Sequence, residues 1–394
     1  MSEIPILFHN KEDCCGCGAC LNVCPKQAIS MKEDECGFVY PMIDTEKCIR
    51  CGKCKKVCAF QNTIEENSPM DCYAAISRNQ EQRKLSASAG IFAAIATSFL
   101  EQSSAVYGAA FMDDWSVHHI RVEQEEDLIK LQGSKYVQSF TDNTYSEVKE
   151  MLNEGKKVLY SGTPCQIAGL KSYLGKEYDN LLTIDIVCHG VPSCKMLKDY
   201  LNTLEKKYGG EIKKFTFRDK TIGWGINGSV VINNKKIKIW QSASSYLYYF
   251  TKGWIYRENC YKCKYASEHR PADITLCDYW GIEKQHPELL GKGKWDESKG
   301  ISLIISNTEK GSNWIKNSDT RLDLIESNFD KISARNGQLR RPSEKGFGNE
   351  IIDCYRIYGW NGLEKRFQGK VGIRKYSSQL KSVIPICIKR LLKR

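Results

Sequence analysis

The chain has 394 residues, of which 41% are hydrophobic and 27% are charged. A chain of this length and composition buries a sizeable core in two or three domains, which excludes a disordered or fibrous protein. The longest apolar run, Ala89 to Leu100, is too short to cross a bilayer, and the first residues lack the basic and apolar regions of a signal peptide. We therefore expect a cytoplasmic protein.

Cysteine is the most informative residue type, because ten of the 19 cysteines lie between Cys14 and Cys58. An odd cysteine count without an export signal favours metal ligation over disulfides. Two runs share gaps of two, two and three residues, which is the pattern of bacterial two-cluster ferredoxins. The runs are Cys14, Cys17, Cys20 and Cys24, and Cys48, Cys51, Cys54 and Cys58.

In this pattern each 4Fe-4S cluster takes three cysteines from one run and the last cysteine of the other. Zinc knuckles are the alternative, but zinc does not need two complete runs of four ligands. Cys15 and Cys36 fall outside the spacing and are expected to be packing residues. We predict a ferredoxin domain over 1–66, with a first cluster on Cys14, Cys17, Cys20 and Cys58 and a second on Cys24, Cys48, Cys51 and Cys54.

A polar stretch from Gln61 to Pro69 is typical of a linker, and beyond it apolar runs alternate with helical patterns. We predict a multidomain protein of α+β and α/β class, with an α/β core behind the ferredoxin domain. The predicted strands are Cys72–Ser77, Val106–Met112, Val117–Val122, Lys157–Tyr160, Leu181–Cys188, Asp273–Asp278 and Ile301–Asn307, and the predicted helices include Ala89–Leu100 and Glu123–Leu131.

Two further segments have distinctive patterns. Val230–Asn233 and Lys235–Trp240 flank polar turn residues, which indicates a hairpin and therefore a mixed sheet. The Gly- and Lys-rich stretch from His286 to Gly300 is long enough for a lid or a disordered loop, with a surface excursion as the alternative.

Four cysteines of the core stand out by their surroundings. Cys165 and Cys188 each follow a predicted strand, and Cys260 and Cys263 form a CxxC pair. Strand ends in α/β sheets are where ligands gather. Cys165 could be a catalytic thiolate with His189 as its base, the CxxC pair could be a redox pair or half a zinc site, or all four could hold another 4Fe-4S cluster. Spacing alone does not choose among these interpretations.

The chain from about residue 70 to residue 345 resembles the coenzyme F420 hydrogenase/dehydrogenase β-subunit family, with a ferredoxin module fused ahead of it. The matching segments occur in the order of that family. They are Ser86–Phe92, Gly133–Val137, Gly162–Gln166, Cys188–Gly190, Phe217–Lys220, the Cys260 and Cys263 pair, and Ala272–Ile274 leading to Asp278–Gly281.

The resemblance implies a flavin-binding core over 70–345, with parts at about 70–155 and 156–345, followed by a basic helical tail over 346–394. It implies FAD in the core and a third 4Fe-4S cluster on Cys165, Cys188, Cys260 and Cys263, so that twelve of the 19 cysteines are ligands. Two departures from the family pattern are Ala89 in place of a glycine before Gly90, and Cys277 in place of a glycine before Asp278. Cys277 is either an inert neighbour or a competing ligand.

The expected flavin contacts follow from the same segments. The helix start at Ser88 to Gly90 offers free N–H groups to the FAD pyrophosphate, with an ordinary helix cap as the alternative. Lys135 would place a charge near the flavin ring unless it is a solvated lysine. His189 would donate a proton or tune a cluster through a hydrogen bond. Thr163, Gln166 and Asp278 complete the expected contacts, and Arg218 and Lys220 are candidates for binding an anionic substrate group.

We therefore expect a flavin-dependent iron-sulfur oxidoreductase that links reduced ferredoxin, or another redox protein, to an organic two-electron acceptor such as the deazaflavin F420, in either direction. A non-catalytic electron-transfer subunit is the alternative. The net charge of +11 comes without the aromatic and basic motifs of nucleic-acid binders, so we expect no nucleic-acid partner. Part of the excess lies between Lys370 and Arg394, a basic amphipathic tail that could contact an anionic membrane surface or simply be solvated.

Overall fold

The N-terminal part of the protein is a small cysteine-rich module built around a hairpin. The computed structural model describes residues 3–291, 293–318 and 320–372. Strands β1 (Ile29–Glu33) and β2 (Val39–Ile43) pair antiparallel. Two single-turn helices, α1 (Ala19–Asn22) and α2 (Lys53–Lys56), each follow a glycine in left-handed conformation within a cysteine run. The matching turns fit the predicted internal repeat.

The described residues beyond this module form a large mixed sheet and a smaller antiparallel sheet. The large sheet has eight strands and the small sheet has three. Their strands, in chain order, are β3 (Asp71–Ser77), β4 (Ala105–Phe111), β5 (Val117–Val122), β6 (Val158–Gly162), β7 (Leu181–Ile186), β8 (Ile212–Thr216), β9 (Gly228–Ile232), β10 (Lys235–Ile239), β11 (Ile274–Asp278), β12 (Ser302–Ser306) and β13 (Leu322–Ser327).

The large sheet has the order β13-β3-β12-β11-β7-β6-β4-β5. The four neighbouring strands β11, β7, β6 and β4 run parallel, whereas the strands on either side pair antiparallel. The predicted mixed α/β core behind a small ferredoxin-like module is therefore confirmed. The parallel strands end at a common edge, which is where ligand sites form in sheets of this kind.

Helices cover both faces of the large sheet. Alternate residues of β4 and β6 point to opposite sides, so that Val106 and Leu159 pack in the core that contains α4, while Tyr107 and Tyr160 pack in the core that contains α5 and α6. The helices beyond the module are α3 (Gln80–Leu85), α4 (Ile91–Leu100), α5 (Thr144–Asn153), α6 (Pro164–Leu174), α7 (Cys194–Tyr208), α8 (Ser245–Lys252), α9 (Ile282–Gln285), α10 (Glu309–Lys316), α11 (Phe329–Ser333) and α12 (Gly348–Val371).

The predicted hairpin exists, but it does not belong to the large sheet. Strands β9 and β10 pair antiparallel and are connected by a turn at Asn233 and Asn234. Both turn residues have positive φ, as a tight hairpin turn requires. They join β8 in the separate small sheet, so the expectation that this hairpin makes the core sheet mixed is wrong. The antiparallel members of the core sheet are its outer strands. The strands that were not predicted are β1 and β2 of the module and β8 and β13 beyond it.

Three other predicted segments take forms of their own. The charged helix expected around Glu123–Leu131 is a 3₁₀ helix over Glu125–Lys130. In the stretch from His286 to Gly300, the described residues include short 3₁₀ turns, and Trp295 is buried in the core, so this part is not a disordered loop. The first part of the predicted tail forms α12, which is kinked at Gly359 and buries Trp360.

The rest of the tail, 373–394, lies outside the described residues, and with it the expected membrane-surface contact. Among the helices that the structure describes, none has the length and hydropathy needed to cross a membrane.

The cysteine-rich module packs directly against the core. Cys17 and Val57 lie in the buried cluster with α5 and α6, and Phe38 and Tyr40 lie in the cluster with α7, α8 and α12. The segment expected to be a linker is also attached, because Asn67 pairs with Arg270 through two backbone hydrogen bonds of 2.9 Å. The module is thus positioned by packing on two sides.

Candidate redox site

A large cavity lies at the carboxyl edge of the parallel strands. Its volume is about 530 Å³. Gly162, Ile186 and Asp278, at the ends of β6, β7 and β11, line it, and the start of α4 closes one side. This size and position are those of cofactor pockets in α/β sheets. The residues predicted to contact a flavin all line this cavity, namely Ser88, Gly90, Lys135, Thr163, Gln166, His189 and Asp278.

The start of α4 presents backbone to this cavity. Gly90 precedes the helix with φ +82°, and an added Cβ would lie 3.2 Å from the backbone nitrogen of Arg83. Ser88 does not cap the helix, because its hydroxyl donates to the carbonyl of Ile301 (3.3 Å) and accepts from Ser302 (3.0 Å). The first N–H groups of α4 therefore have no side-chain cap, as an anion site at a helix N-terminus requires.

Two lysines lie near this helix start. Lys135 donates from Nζ to the carbonyls of Lys130 (3.0 Å) and Gln132 (2.9 Å), and burial lowers its pKa to about 7. It is therefore not the solvated lysine of the alternative interpretation. Lys220 donates to the carbonyls of Arg83 and Ser88, and burial also lowers its pKa to about 7. Its ammonium group thus holds the loop before α4.

Asp278 reaches the cavity with both carboxylate oxygens already engaged. Arg218 binds them in a two-pronged ion pair of 2.7 Å and 3.3 Å, and the indole N–H of Trp224 donates to Oδ1 at 2.7 Å. The Arg218 guanidinium also lies 5.4 Å from the ring centre of Trp280, which stacks on Trp224. This network fixes Arg218 in the cavity wall, with its pKa raised despite burial by the nearby Tyr136 and Asp278.

A smaller cavity of about 40 Å³ adjoins the large one. Thr163, Gln166 and His189 line both cavities, so the two share a wall. Thr163 is the N-cap residue of α6 and forms a capping box with Gln166. Cys165 therefore lies in the first helical turn. The four core cysteines, Cys165, Cys188, Cys260 and Cys263, all line this smaller cavity.

The thiols of these cysteines influence one another. Burial raises the pKa of Cys188 and that of Cys263 to about 12, and neighbouring cysteines add to both effects. A hydrogen bond from Cys15 lowers the pKa of Cys165 to about 7. Buried thiols that repel as anions are stabilised together when they ligate a cationic centre, so the donor set fits an iron-sulfur cluster. Within the described chain no hydrogen bond joins Cys165 to His189, which weighs against the catalytic pair.

The cysteines of the module also converge as two sets. A cavity of about 20 Å³ is lined by one crossed set, Cys24, Cys48, Cys51 and Cys54. In the other set, burial raises the pKa of Cys20 well above its ordinary value, and Cys17, Cys14, Cys58 and Cys54 raise it further by repulsion. Because Cys54 belongs to the set that lines the cavity, the two sets lie close together, and the crossed grouping of ligands stays a prediction. No three of the described His, Cys, Asp or Glu side chains converge as ligands of a single metal ion do.

Two family models match the chain. Residues 155–331 match the C terminus of the coenzyme F420 hydrogenase/dehydrogenase beta subunit, and residues 13–62 match a 4Fe-4S dicluster domain. A segment similar to dicluster domains therefore precedes a segment similar to the C terminus of these beta subunits. The resemblance stated from the sequence is thus confirmed, and the two matches contain all twelve predicted cysteine ligands.

One solved structure and the curated proteins complete the comparisons. A chain of the F420-reducing NiFe hydrogenase complex from Methanosarcina barkeri is 17% identical, with a TM-score of 0.45, and the match covers 74% of this chain and 94% of that one. No curated protein matches the chain.

Sequence reasoning missed residues where the dicluster domain meets the beta-subunit domain. Cys15, expected only to pack, lines the smaller cavity and hydrogen-bonds to Cys165 and Cys17. Arg257 donates to the carbonyl of Cys14 across the same boundary. In the sequence, the only indication of a role for Arg257 is its position three residues before Cys260.

Cys277 donates to Asn336 (3.5 Å) and lines the large cavity, which favours an inert neighbour over a competing ligand.

Proposed function

We propose that this protein is an iron-sulfur flavoprotein oxidoreductase of the cytoplasm, with three 4Fe-4S clusters and FAD. It exchanges electrons between a redox protein such as reduced ferredoxin and an organic two-electron acceptor. The family matches support the general statement that this is an iron-sulfur electron-transfer protein related to hydrogenase/dehydrogenase beta subunits. The proposal of a third cluster, FAD and an organic acceptor depends on the two adjoining cavities.

The observation that carries the proposal is the shared wall between the two cavities. Cys188 lines both, so a cofactor in the cavity of about 530 Å³ would lie against a cysteine of the four-cysteine set. A volume of this size suits an organic cofactor, whereas about 40 Å³ lined by the four core cysteines and Cys15 suits an inorganic one. When bound, the clusters supply one-electron transfer and FAD supplies the exchange of electron pairs.

The residues of the large cavity have distinct proposed roles. The uncapped N–H groups at the start of α4 bind the pyrophosphate, and Lys135 adds a positive charge to the same cavity. Asp278 orients Arg218 toward an anionic group, and it contacts a ribityl or substrate hydroxyl through lone pairs that Arg218 and Trp224 leave free. His189 is the proposed proton donor, with a hydrogen bond to a cluster sulfide as its alternative role.

Anaerobic purification followed by iron, sulfide and flavin analysis tests the proposal. We expect about twelve iron atoms and about one FAD per chain. About eight iron atoms would remove the third cluster from the proposal, and protein without visible absorbance that dithionite bleaches would refute it altogether.

The matched family consists of beta subunits, which favours one second candidate, a non-catalytic electron-transfer subunit. The purified single chain distinguishes the two. Turnover of any organic acceptor with a chemical reductant supports the oxidoreductase. If acceptors react only after a partner protein is added, the subunit assignment is correct.

A further inference from the structure

Arg257 is a buried cation without a carboxylate partner. The residue is 0% exposed, and Nη2 has no hydrogen-bond partner among the described residues. Two other buried arginines differ, because Arg218 pairs with Asp278 and Arg270 pairs with Asp185 at 2.8 Å, whereas Arg83 also lacks a described carboxylate within ion-pair distance. Within the described part of the chain, no carboxylate lies within ion-pair distance of Arg257. Burying an unpaired charge is costly, so another negative group must compensate it.

The side chain of Arg257 holds the first cysteine run of the module. Its Nε donates to the carbonyl of Cys14 at 2.9 Å, and Nη1 donates to Gln138 at 3.5 Å. The guanidinium carbon lies 4.0 Å from the ring centre of Tyr40. An added Cβ on Gly16 would lie 3.3 Å from the same carbon. The cation is therefore packed against the loop that carries Cys14 and Cys17.

The backbone of Arg257 holds the core cysteines. Its N–H donates to the carbonyl of Val191 at 2.9 Å, just beyond Cys188, and its carbonyl accepts from the N–H of Cys260 at 3.0 Å. One residue thus connects a module loop with two loops of the four-cysteine cavity.

Arg257 is hydrogen-bonded to one predicted ligand of each of two clusters. Its Nε donates to the carbonyl of Cys14, and its backbone carbonyl accepts from Cys260. Among the described residues, no hydrogen bond joins Arg257 to Cys24, Cys48, Cys51 or Cys54.

We propose that Arg257 is a shared counter-charge of the first ferredoxin cluster and the third cluster, and that it raises the reduction potentials of both relative to the second. This inference rests on the proposed function. A reduced cluster carries one more negative charge than an oxidised cluster, so a fixed buried cation stabilises the reduced form. Arg257 touches neither substrate nor flavin in this arrangement and is a positioning residue.

Potentiometric titration of the holoprotein, followed by electron paramagnetic resonance, tests the proposal with Arg257→Gln and Arg257→Lys. In Arg257→Gln we expect the one-electron reduction of the first and third clusters to become about tenfold less favourable, or about 59 mV. The second cluster should keep its potential and serves as the control inside the same molecule. Arg257→Lys retains the charge and should stay close to wild type. Equal potentials in Arg257→Gln and wild type, or equal shifts in both variants, would overturn the proposal.

Gln138→Glu provides a route that retains the arginine, in case Arg257→Gln does not assemble. A carboxylate at this position would pair with Nη1 and neutralise the cation without removing its packing. We expect the same two potentials to fall and the second to remain. Unchanged potentials in Gln138→Glu refute the counter-charge. Iron analysis of the wild type distinguishes failure of the proposed function from failure of this inference. A missing third cluster removes that cluster from the proposed function and refutes the shared counter-charge, whereas three clusters with unchanged variant potentials refute only the role of Arg257.

Discussion

Two small cavities, each lined by one predicted set of four cysteine ligands, have different origins and surroundings. The cavity of Cys24, Cys48, Cys51 and Cys54 is lined only by module residues, and Cys51 is exposed. The cavity of the core set is assembled from the first turn of α6, the loop after β7 and a 3₁₀ helix, and it adjoins both the module and the large cavity. The same donor set thus occurs once at the surface and once at a junction.

The difference shows that ligand spacing and cofactor environment are separate properties. The surface cavity has a repeated local cysteine pattern, and the residues that line it all belong to the module. The core cavity has only the CxxC pair of Cys260 and Cys263 as a local pattern, yet Thr163, Gln166 and His189 connect it to a space large enough for an organic cofactor. We therefore expect substitutions in the two sets to have different consequences for electron exchange with organic acceptors.

The largest expected effect is that of Cys263→Ser. It removes one thiolate from the core cavity and should lose about four iron atoms per chain while the ferredoxin signals remain. Organic-acceptor turnover should fall by at least ~100-fold, because the connection between the two cavities is lost. Each tenfold fall in the rate corresponds to ~1.4 kcal/mol in the activation barrier. Iron analysis, resonance spectra and turnover measure these effects.

Cys51→Ser is the matched control in the surface cavity. It should also lose about four iron atoms, but the spectrum of the third cluster and FAD content should remain. Reduction of the flavin by dithionite should also persist. If both variants lose the same spectral signal, the two cavities do not hold separate clusters and the comparison fails.

The sequence predicts the surface set well and the core set only in part. The module ligands follow from spacing, because a loop of two-residue gaps brings its own cysteines together. Cys165, Cys188 and the CxxC pair come together only through the order of strands β6, β7 and β11, which periodicity does not specify. The family resemblance predicts that these four cysteines form one ligand set, and the structure places all four in the lining of one cavity.

Long-range packing explains the remaining differences between sequence and structure. The contacts of Arg257 and Cys15 depend on the docking of the module, for which local sequence has no signal. Strand β13 was missed because it has no continuous apolar run and only its first two residues are buried, whereas β12, which pairs with the same strand β3, is buried throughout. The hairpin of β9 and β10 was found from its turn residues, but its membership of a separate sheet depends on β8.

The second-largest effect is expected for Gly169→Ala, which acts between the module and the core. An added Cβ would lie 2.8 Å from Sγ of Cys17 and 3.2 Å from the hydroxyl of Tyr145. Since Cys17 is a predicted ligand and cannot shift freely, we expect a loss of ~1–3 kcal/mol in the free energy of unfolding. The first cluster should also become labile in air, which time-resolved iron release would measure.

Gly369→Ala is the control for Gly169→Ala. Gly369 lies in α12 with open space around an added Cβ, so alanine should stabilise the protein by ~0.5–1 kcal/mol. Chemical denaturation measures both variants. Equal effects would show that Cys17 does not pack tightly against α6.

A smaller effect is expected on the pH dependence of the free energy of unfolding. It arises in the large cavity, which adjoins the core cysteine set and not the surface set. Burial lowers the pKa of Lys135 to about 7, so between pH ~7 and ~10 the unfolded apoprotein binds more protons at this lysine than the folded one. The free energy of unfolding of wild type should therefore rise with pH relative to Lys135→Met, by at most ~1.4 kcal/mol per pH unit.

FAD should flatten this dependence, because its negative phosphates favour the charged lysine. Lys130→Met, which removes an exposed lysine paired with Asp127, is the control and should follow the wild-type slope. Parallel slopes for wild type and Lys135→Met would mean that the ammonium group is not desolvated in the cavity.

The smallest effect is expected for Cys277→Ser, which tests where the four-cysteine cavity ends. The Cys277 thiol lines only the large cavity of the two, and burial raises its pKa, so it is neutral there. A serine hydroxyl can donate the same hydrogen bond to Asn336, so the free energy of unfolding should change by less than about 1 kcal/mol. Iron content should equal that of wild type, whereas Cys188→Ser, on the shared wall, should lose about four iron atoms. Iron loss in Cys277→Ser would instead make Cys277 a ligand and extend the core set into the large cavity, which would remove the distinction between a cluster cavity and a flavin cavity.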